Sequence, residues 1–199
     1  SLSIKSLKEA GIEAGAIVSK LVSLGTGNGL DLKNNINELT PKFELNKFST
    51  APVKFEKEVL KTISRKLIAN LSVNEISPFL DLIGVPDNIK ENFWMMAKDN
   101  INSKDDLVDI WNLCKEGTNN PIIAPEDKHF IEVAITLIGE YPRDNDSWKT
   151  LTDKLKNLTG RSGKNLFMPL RNFLTGKSDG PDMKKLFPLM QKIQKCGLS

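Results

Sequence analysis

Hydrophobic residues recur along most of this chain at the three- to four-residue spacing of helices that are buried on one side. The clearest stripe joins Phe55, Val59, Ile63, Leu67 and Ile68. The same periodicity predicts helices near 3–10, 12–24, 32–39, 55–68, 86–97, 103–114, 125–138, 147–159, 166–175 and 182–195, and a further helix that opens at 72–75. Only residues 43–48 alternate in the manner of a strand. The pattern therefore predicts an all-α fold, in which bundle-like helical pieces are joined by short loops, with little or no strand.

Several of these helices have clear boundary signals. Ser72 and Glu75 have the spacing of a capping box, which predicts a helix start. Pro169 has a fixed φ and no N–H, so we expect it in the first turn of a helix. Gly176 can take the positive φ that ends a helix. Arg171 would then lie near the start of a short helix. A guanidinium held in this way suits base edges and phosphates, although an ordinary surface arginine fits the same residues.

Charge is distributed unevenly along the chain. The 199 residues carry a net charge of +3, with 39% hydrophobic and 27% charged residues, which is typical of a folded globular protein. Residues 1–74 carry +4, residues 75–142 carry −8 and residues 143–199 carry +7. Two basic ends around an acidic middle favour a polyanionic partner, and ordinary fluctuation of charge is the alternative. No apolar run is long enough to span a membrane, and nothing in the sequence predicts an export leader.

Groups able to perform covalent chemistry are scarce. His129 is the only histidine and is expected to be solvated at a helix start. The glycine-rich segment 25–29 lacks the lysine of a phosphate-binding loop, so a turn between helices is the better interpretation. Cys114 and Cys196 have no metal-ligand spacing and are expected to be reduced thiols. The tryptophans are expected to pack in the core. The residues alone therefore predict no catalytic or metal site.

Two distant parts of the sequence resemble the same family. The stretch Met168–Pro169–Leu170–Arg171 through Leu174–Thr175–Gly176, followed by Gly180–Pro181, resembles the C-terminal signature of bacterial glutamyl-tRNA synthetases, which are class I enzymes. Residues 3–12, 14–26 and 43–55 are similar to the segments that follow the family's lysine-rich signature loop. The resemblance covers nearly the whole chain. It is strong at both ends, whereas residues 80–142 match only in being helical.

The resemblance implies a division of the chain into three parts. Residues 1–70 would be a stem-contact segment, residues 71–142 a helical anticodon-binding subdomain, and residues 143–199 a C-terminal helical anticodon-binding subdomain. The helical pieces after the stem-contact segment would form an anticodon-binding cage. It also implies that the catalytic domain, which joins glutamate to its tRNA with ATP and Mg²⁺, lies before Ser1. We therefore expect a tRNA-binding portion of a cytoplasmic, monomeric glutamate–tRNA ligase that is not catalytic alone, needs no cofactor and does not contact membranes. Some members of the family also charge the glutamine tRNA.

Candidate site residues follow from the same resemblance. In the family, the arginine of the Pro–Leu–Arg motif lies at the anticodon, so this role is carried to Arg171. The residue before the proline is often a glutamine but is Met168 here, and its thioether cannot make the same hydrogen bond. The other candidate cations are Arg65, Lys66, Arg161, Lys164 and Lys177. Each of them could contact a phosphate of the RNA or could equally well be an ordinary solvated surface charge. The full set of candidates is Arg171, Thr175, Met168, Gly180, Met183, Arg65, Lys66, Arg161, Lys164 and Lys177.

A second class of function fits the composition. A helical adaptor without enzymatic activity could use the acidic segment 75–142 to dock a basic protein. If the chain binds tRNA, its affinity should fall steeply as the salt concentration rises, whereas the adaptor should not bind tRNA even at low salt.

Overall fold

Every regular element in the described part of the chain is helical. The computed structural model describes residues 3–26, 56–139 and 144–194. No strand occurs among these residues, so the predicted all-α fold is confirmed. The helices are α1 Ile4–Glu9, α2 Ala14–Thr26, α3 Lys57–Ala69, α4 Val73–Leu82, α5 Lys90–Ala97, α6 Asp106–Glu116, α7 Lys128–Ile138, α8 Ser147–Thr159, α9 Lys164–Thr175 and α10 Met183–Leu186. Short 3₁₀ turns lie at Asp87–Ile89, Lys98–Asn100, Pro125–Asp127 and Phe187–Leu189.

The chain divides into two compact units. The first contains Ser1–Leu82 and Ile101–Leu107, and the second contains Ile83–Asn100 and Val108–Ser199. In the first unit, α2 packs on α3. Its buried core consists of Leu7, Ile12, Ala16, Leu60, Ile63 and Leu67. Ile63 and Leu67 belong to the stripe predicted for α3, whereas its predicted member Val59 is 37% exposed and the neighbouring Leu60 is buried instead. Burial of one face stabilises a helix more than its intrinsic propensity does.

A buried serine joins α3 to the start of α2. The Ser64 side chain is only 1% exposed, and its hydroxyl accepts a hydrogen bond of 2.9 Å from the backbone N–H of Glu13. The first N–H groups of a helix have no partner inside the helix, so this contact satisfies one of the donors at that end. The Ser64 hydroxyl therefore stabilises the fold of the first unit.

Helices of the second unit pack around an aromatic core. Helix α7 contacts α8, and α9 contacts both of them, while α10 lies against α5. The rings of Phe93 and Trp111 meet edge to face with centroids 5.5 Å apart, and those of Trp148 and Phe187 lie 5.4 Å apart. Trp94 is also buried. The tryptophans therefore pack in the core, as the sequence predicted.

Most helix boundaries were predicted correctly. The capping box at α4 is present: the Glu75 carboxylate accepts a 2.8 Å hydrogen bond from the Ser72 N–H, and the Ser72 hydroxyl accepts one of 3.3 Å from the Glu75 N–H. Hydrogen bonds from the backbone and then the side chain of Ser72 lower the pKa of Glu75 below its ordinary value. The expected elements at 32–39 and 43–48 lie outside the described residues.

Three boundary predictions were wrong. The turn expected over 25–29 does not begin at Gly25, because α2 continues to Thr26, and residues 27–29 lie outside the described residues. The helix expected over 182–195 ends at Leu186, and Phe187–Leu189 forms a 3₁₀ turn. Pro188 explains this early end, since proline has no N–H and its ring clashes with the preceding helical turn. Pro169 lies inside α9 rather than in its first turn, because α9 starts at Lys164.

Candidate functional site

Arg171 projects from the middle of α9 toward the turn that follows this helix. Its Nη2 donates a 2.7 Å hydrogen bond to the carbonyl oxygen of Pro181. Its Nη1 is buried and has no hydrogen-bond partner among the described residues. A Cβ built on Gly180 would lie 3.6 Å from this Nη1, so the turn covers the guanidinium closely. An unsatisfied buried donor costs about 1–3 kcal/mol, and an acceptor that reached Nη1 after a movement of the Gly180 turn would recover this free energy.

The end of α9 is fixed by Thr175 and Gly176. The buried Thr175 hydroxyl donates to the carbonyl oxygen of Arg171 at 2.8 Å and accepts from the N–H of Lys177 at 3.1 Å. Gly176 has a φ of +68°, and its N–H donates to the carbonyl oxygen of Asn172 at 2.9 Å. Gly176 therefore ends the helix as predicted. In this structure the Thr175 hydroxyl stabilises the helix end, whereas its proposed contact with RNA stays a prediction.

The loop before Pro125 packs directly on this helix end. The Ile122 N–H donates to the Asn172 carbonyl oxygen at 3.0 Å. A Cβ on Gly176 would lie 2.6 Å from the Asn120 carbonyl oxygen and 2.9 Å from the Thr118 hydroxyl oxygen. The side-chain oxygen of Asn172 is buried without a partner in the described chain, as is the neighbouring Nη1 of Arg171. Two adjacent residues of α9 thus each hold an unsatisfied polar atom, and sequence reasoning singled out only Arg171 of the two.

The other candidates near Arg171 differ in exposure. Met168 is half-buried, Gly180 is exposed and Met183 is buried. Gly180 has a φ of +121°, a conformation that favours glycine. The structure therefore gathers Arg171, Thr175 and Gly180 around one turn. A direct RNA contact by Met183 would require a change in its surroundings, because its side chain is 5% exposed.

Arg161 is held by contacts within the second unit. Its Nη1 forms an ion pair with the Asp127 carboxylate, and its Nη2 donates to the Glu126 carbonyl oxygen at 3.1 Å. Its Cζ lies 4.5 Å from the centroid of the Phe130 ring. Nη1 also lies 3.4 Å from the Asn165 carbonyl oxygen, the acceptor for which Pro169 has no N–H. These contacts tie the loop before α9 to the start of α7.

We therefore expect Arg161→Lys and Asp127→Asn each to lower the free energy of unfolding by about 2 kcal/mol, since hydrogen bonds to charged groups contribute about this much. Lysine keeps the positive charge but cannot reproduce the planar contacts of guanidinium. Chemical denaturation measures the change, with exposed Lys156→Ala on α8 as the control. If Arg161 instead served RNA alone, Asp127→Asn would leave stability unchanged and strengthen tRNA binding by releasing the guanidinium.

The remaining candidate cations lie on the surface of their units. Lys164 and Lys177 in the second unit, and Arg65 and Lys66 in the first, are all exposed. None of the four forms an ion pair with another described residue. Arg65 also lines a polar cleft of about 490 Å³ in the first unit, together with Thr62. The structure thus presents these four cations to solvent, and their proposed contact with phosphates stays a prediction.

Within the described ranges, neither His129 nor Cys114 lies in a catalytic arrangement. The His129 side chain is 89% exposed and lies 3.6 Å from the Glu132 carboxylate, in agreement with its expected solvation. Cys114 is free and buried, and burial raises the pKa of its thiol to about 12. The described ranges contain no group of three or more His, Cys, Asp or Glu residues that could hold a metal ion. Within those ranges, no helix is long and apolar enough to cross a membrane.

Fold and candidate site together define an all-α chain in which an arginine is held beside a glycine–proline turn. Its sequence relatives are glutamate–tRNA ligases. It is 42% identical over 197 residues to glutamate–tRNA ligase 2 of Ruegeria sp. (strain TM1040), covering 99% of this chain and 44% of the relative. It is 37% identical to glutamate–tRNA ligase 1 of Ruegeria pomeroyi, with the same coverage. No protein-family model matches the chain.

Solved structures give the same fold. A glutamate tRNA ligase from Elizabethkingia meningosepticum, crystallised in complex with its amino acid, aligns with a TM-score of 0.75 at 19% identity, covering 92% of this chain and 39% of that chain. Glutamate-tRNA synthetase from Elizabethkingia anophelis aligns with a TM-score of 0.68. The predicted family resemblance is therefore confirmed. The chain spans 44% of the length of these sequence relatives, which is consistent with a C-terminal part of such a ligase.

Proposed function

We propose that this chain is the tRNA-binding part of a glutamate–tRNA ligase and that Arg171 contacts an anticodon base. The observation that carries the proposal is the geometry of Arg171: one guanidinium nitrogen is held by the Pro181 carbonyl oxygen, and the other is buried without an acceptor in the described chain. Because Nη1 is buried beside Gly180, a base edge would reach it when this turn moves, and the bond to Pro181 would then hold the guanidinium in a fixed orientation for that acceptor. Anticodon bases are unstacked, so their edges are available for such contacts.

The exposed cations would add contacts that carry no sequence information. Lys164 and Lys177 in the second unit would contact phosphates near the anticodon, while Arg65 and Lys66 in the first unit would contact phosphates of the stem. Such contacts fix the orientation of an RNA and supply affinity that depends on salt. We also propose that residues 1–70 contact the stem of the tRNA and that residues 71–142 and 143–199 are two anticodon-binding subdomains.

We further propose that the whole enzyme attaches glutamate to its tRNA. The complete ligase would form glutamyl-adenylate from glutamate and ATP with Mg²⁺, and would then transfer glutamate to the 3′ end of the glutamate tRNA. We also propose that the enzyme is a cytoplasmic monomer and that it can charge the glutamine tRNA as well. The residues of this chain would bind and orient the tRNA.

A salt titration of tRNA binding tests this function. Purified chain is mixed with a glutamate tRNA transcript, and the association constant is measured at increasing KCl. We expect log K to fall linearly with log salt, with a slope of about 0.7–0.9 for each phosphate neutralised. Absence of tRNA binding at low salt, from a chain whose circular dichroism is helical, would contradict the proposal and favour the adaptor.

A further inference from the structure

A groove of about 290 Å³ occurs in the second unit, apart from the Arg171 guanidinium. It is lined by residues of α5, of the turn before α8, and of α10 with the 3₁₀ turn that follows. The lining residues are Asn92, Met95, Asn145, Lys184, Lys185, Pro188 and Leu189. Its volume is at the lower end of the range for small-molecule sites, about 300–1,000 Å³. Five of its seven lining residues are exposed, so the groove is open to solvent and can admit a short segment of a polymer.

Two lysines give this groove its charge. Lys184 and Lys185 are exposed, and neither ammonium group pairs with a described acidic residue. Lys192 of the same unit, by contrast, lies 3.4 Å from the Glu116 carboxylate. The nearby Asp182 carboxylate accepts the backbone N–H of Lys184 at 3.0 Å. Both ammonium groups are therefore available to an anionic ligand.

The remainder of the lining combines amides with an exposed apolar side chain. Met95 is 46% exposed, whereas Trp94 and Met96 on either side of it are 1% and 2% exposed. Asn92 and Asn145 are exposed, and their amides supply both donors and acceptors. An apolar surface beside amides and cations suits RNA, whose bases and riboses present flat faces next to phosphates.

The groove is joined to the Arg171 site by a short stretch of backbone. The Pro181 carbonyl oxygen that accepts from Arg171 is followed by Asp182, and α10 then begins at Met183. Lys184 and Lys185 are the second and third residues of this helix. An RNA that reaches Arg171 therefore has a cationic surface close to the same turn.

From this juxtaposition we propose that the groove binds the sugar–phosphate backbone of the tRNA beside the base that Arg171 contacts, with Lys184 and Lys185 on phosphates and Met95 against a base or ribose. The proposal rests on the tRNA-binding function proposed above. It differs from the role of Arg171, because phosphate contacts add affinity without distinguishing one sequence from another.

The double variant Lys184→Gln/Lys185→Gln tests this proposal. Its tRNA binding is compared with that of a control variant that loses the same charge elsewhere. Exposed lysines on α8 provide the control, Lys149→Gln/Lys156→Gln. Association constants for the whole chain and the glutamate tRNA transcript are measured across a KCl series. We expect the groove variant to reduce the magnitude of the salt slope by about 1.5, as for two lost phosphate contacts. It should weaken cognate and noncognate tRNA by the same factor, whereas the control keeps the wild-type slope.

A groove variant that keeps the wild-type slope would overturn the proposal while leaving the proposed function intact. An unchanged salt slope is also the result expected if the groove binds an acidic protein segment and not tRNA. Absence of salt-dependent binding by the wild-type chain would refute the tRNA-binding function itself, and the groove proposal with it. Met95→Ala keeps the charge, so it should weaken tRNA binding without changing the slope. Circular dichroism and thermal melting confirm that each variant is folded.

Discussion

Gly176→Ala is expected to destabilise the second unit by about 3 kcal/mol or more, because two penalties combine at this position. The residue has a φ of +68°, which is unfavourable for a residue with a side chain. The new Cβ would also lie 2.6 Å from the Asn120 carbonyl oxygen, so the backbone of the packed loop must move. Chemical denaturation followed by circular dichroism measures the loss of free energy.

Gly160→Ala supplies a matched control for this substitution. Gly160 ends α8 with a φ of +67°, nearly the same as that of Gly176, but nothing in the described chain lies within 4 Å of the point that a new Cβ would occupy. It should therefore lose only the backbone term of about 1–2 kcal/mol. Equal destabilisation by the two substitutions would show that the loop near Asn120 does not press on the end of α9.

Arg171→Ala is expected to weaken binding of the glutamate tRNA by about 1–3 kcal/mol, the contribution of a bidentate contact to a base. The effect on folding should be small, because the substitution removes the unsatisfied Nη1 together with the hydrogen bond to Pro181. Filter binding or fluorescence titration gives the affinity, and thermal melting gives the stability. Lys149→Ala removes an exposed charge from the same unit and serves as the control.

Arg171→Lys separates base contact from phosphate contact. Lysine keeps the charge but lacks the planar fork of guanidinium, so a base-edge contact should be lost almost as fully as in the alanine variant. If the lysine variant binds tRNA as tightly as the wild type, Arg171 acts only as a charge. Its assignment to an anticodon base would then be wrong.

Local signals in the sequence were sufficient to predict the helical fold. The stripe through Ile63, Leu67 and Ile68 becomes a buried face of α3, since periodic burial is a property of the helix itself. The cap formed by Ser72 and Glu75 was also predictable, because both partners lie within one turn. Features of this kind depend on neighbours in the sequence and need no knowledge of tertiary contacts.

Contacts between distant residues explain the predictions that failed or remained open. Pro169 was expected in the first turn of a helix, but it lies inside α9. Pro169 has no N–H to donate to the Asn165 carbonyl oxygen, and Arg161 lies near this oxygen instead. The sequence left Arg161 as either a phosphate contact or a surface charge, whereas the fold pairs it with Asp127. These residues are 34 positions apart, and no periodicity could have connected them.

The candidate site was only partly accessible to sequence reasoning. Arg171 was identified by its motif, but its anchoring by Pro181 and the covering turn at Gly180 depend on how the chain folds back after α9. Lys184 and Lys185 were assigned to a long helix instead of to a groove, because the early end of α10 at Leu186 was not predicted. A lysine pair in a basic segment carries no signal of its own that would distinguish a groove from open surface.

The central claim is that this chain recognises the anticodon through Arg171, and anticodon substitution tests it most directly. Affinities of the wild-type chain and Arg171→Ala are measured for the glutamate tRNA and for the same tRNA with each anticodon base replaced in turn. We predict that at least one replacement weakens binding to the wild-type chain by about 1–3 kcal/mol and has little further effect on Arg171→Ala. Equal affinity of the wild-type chain for all of these tRNAs would contradict the claim.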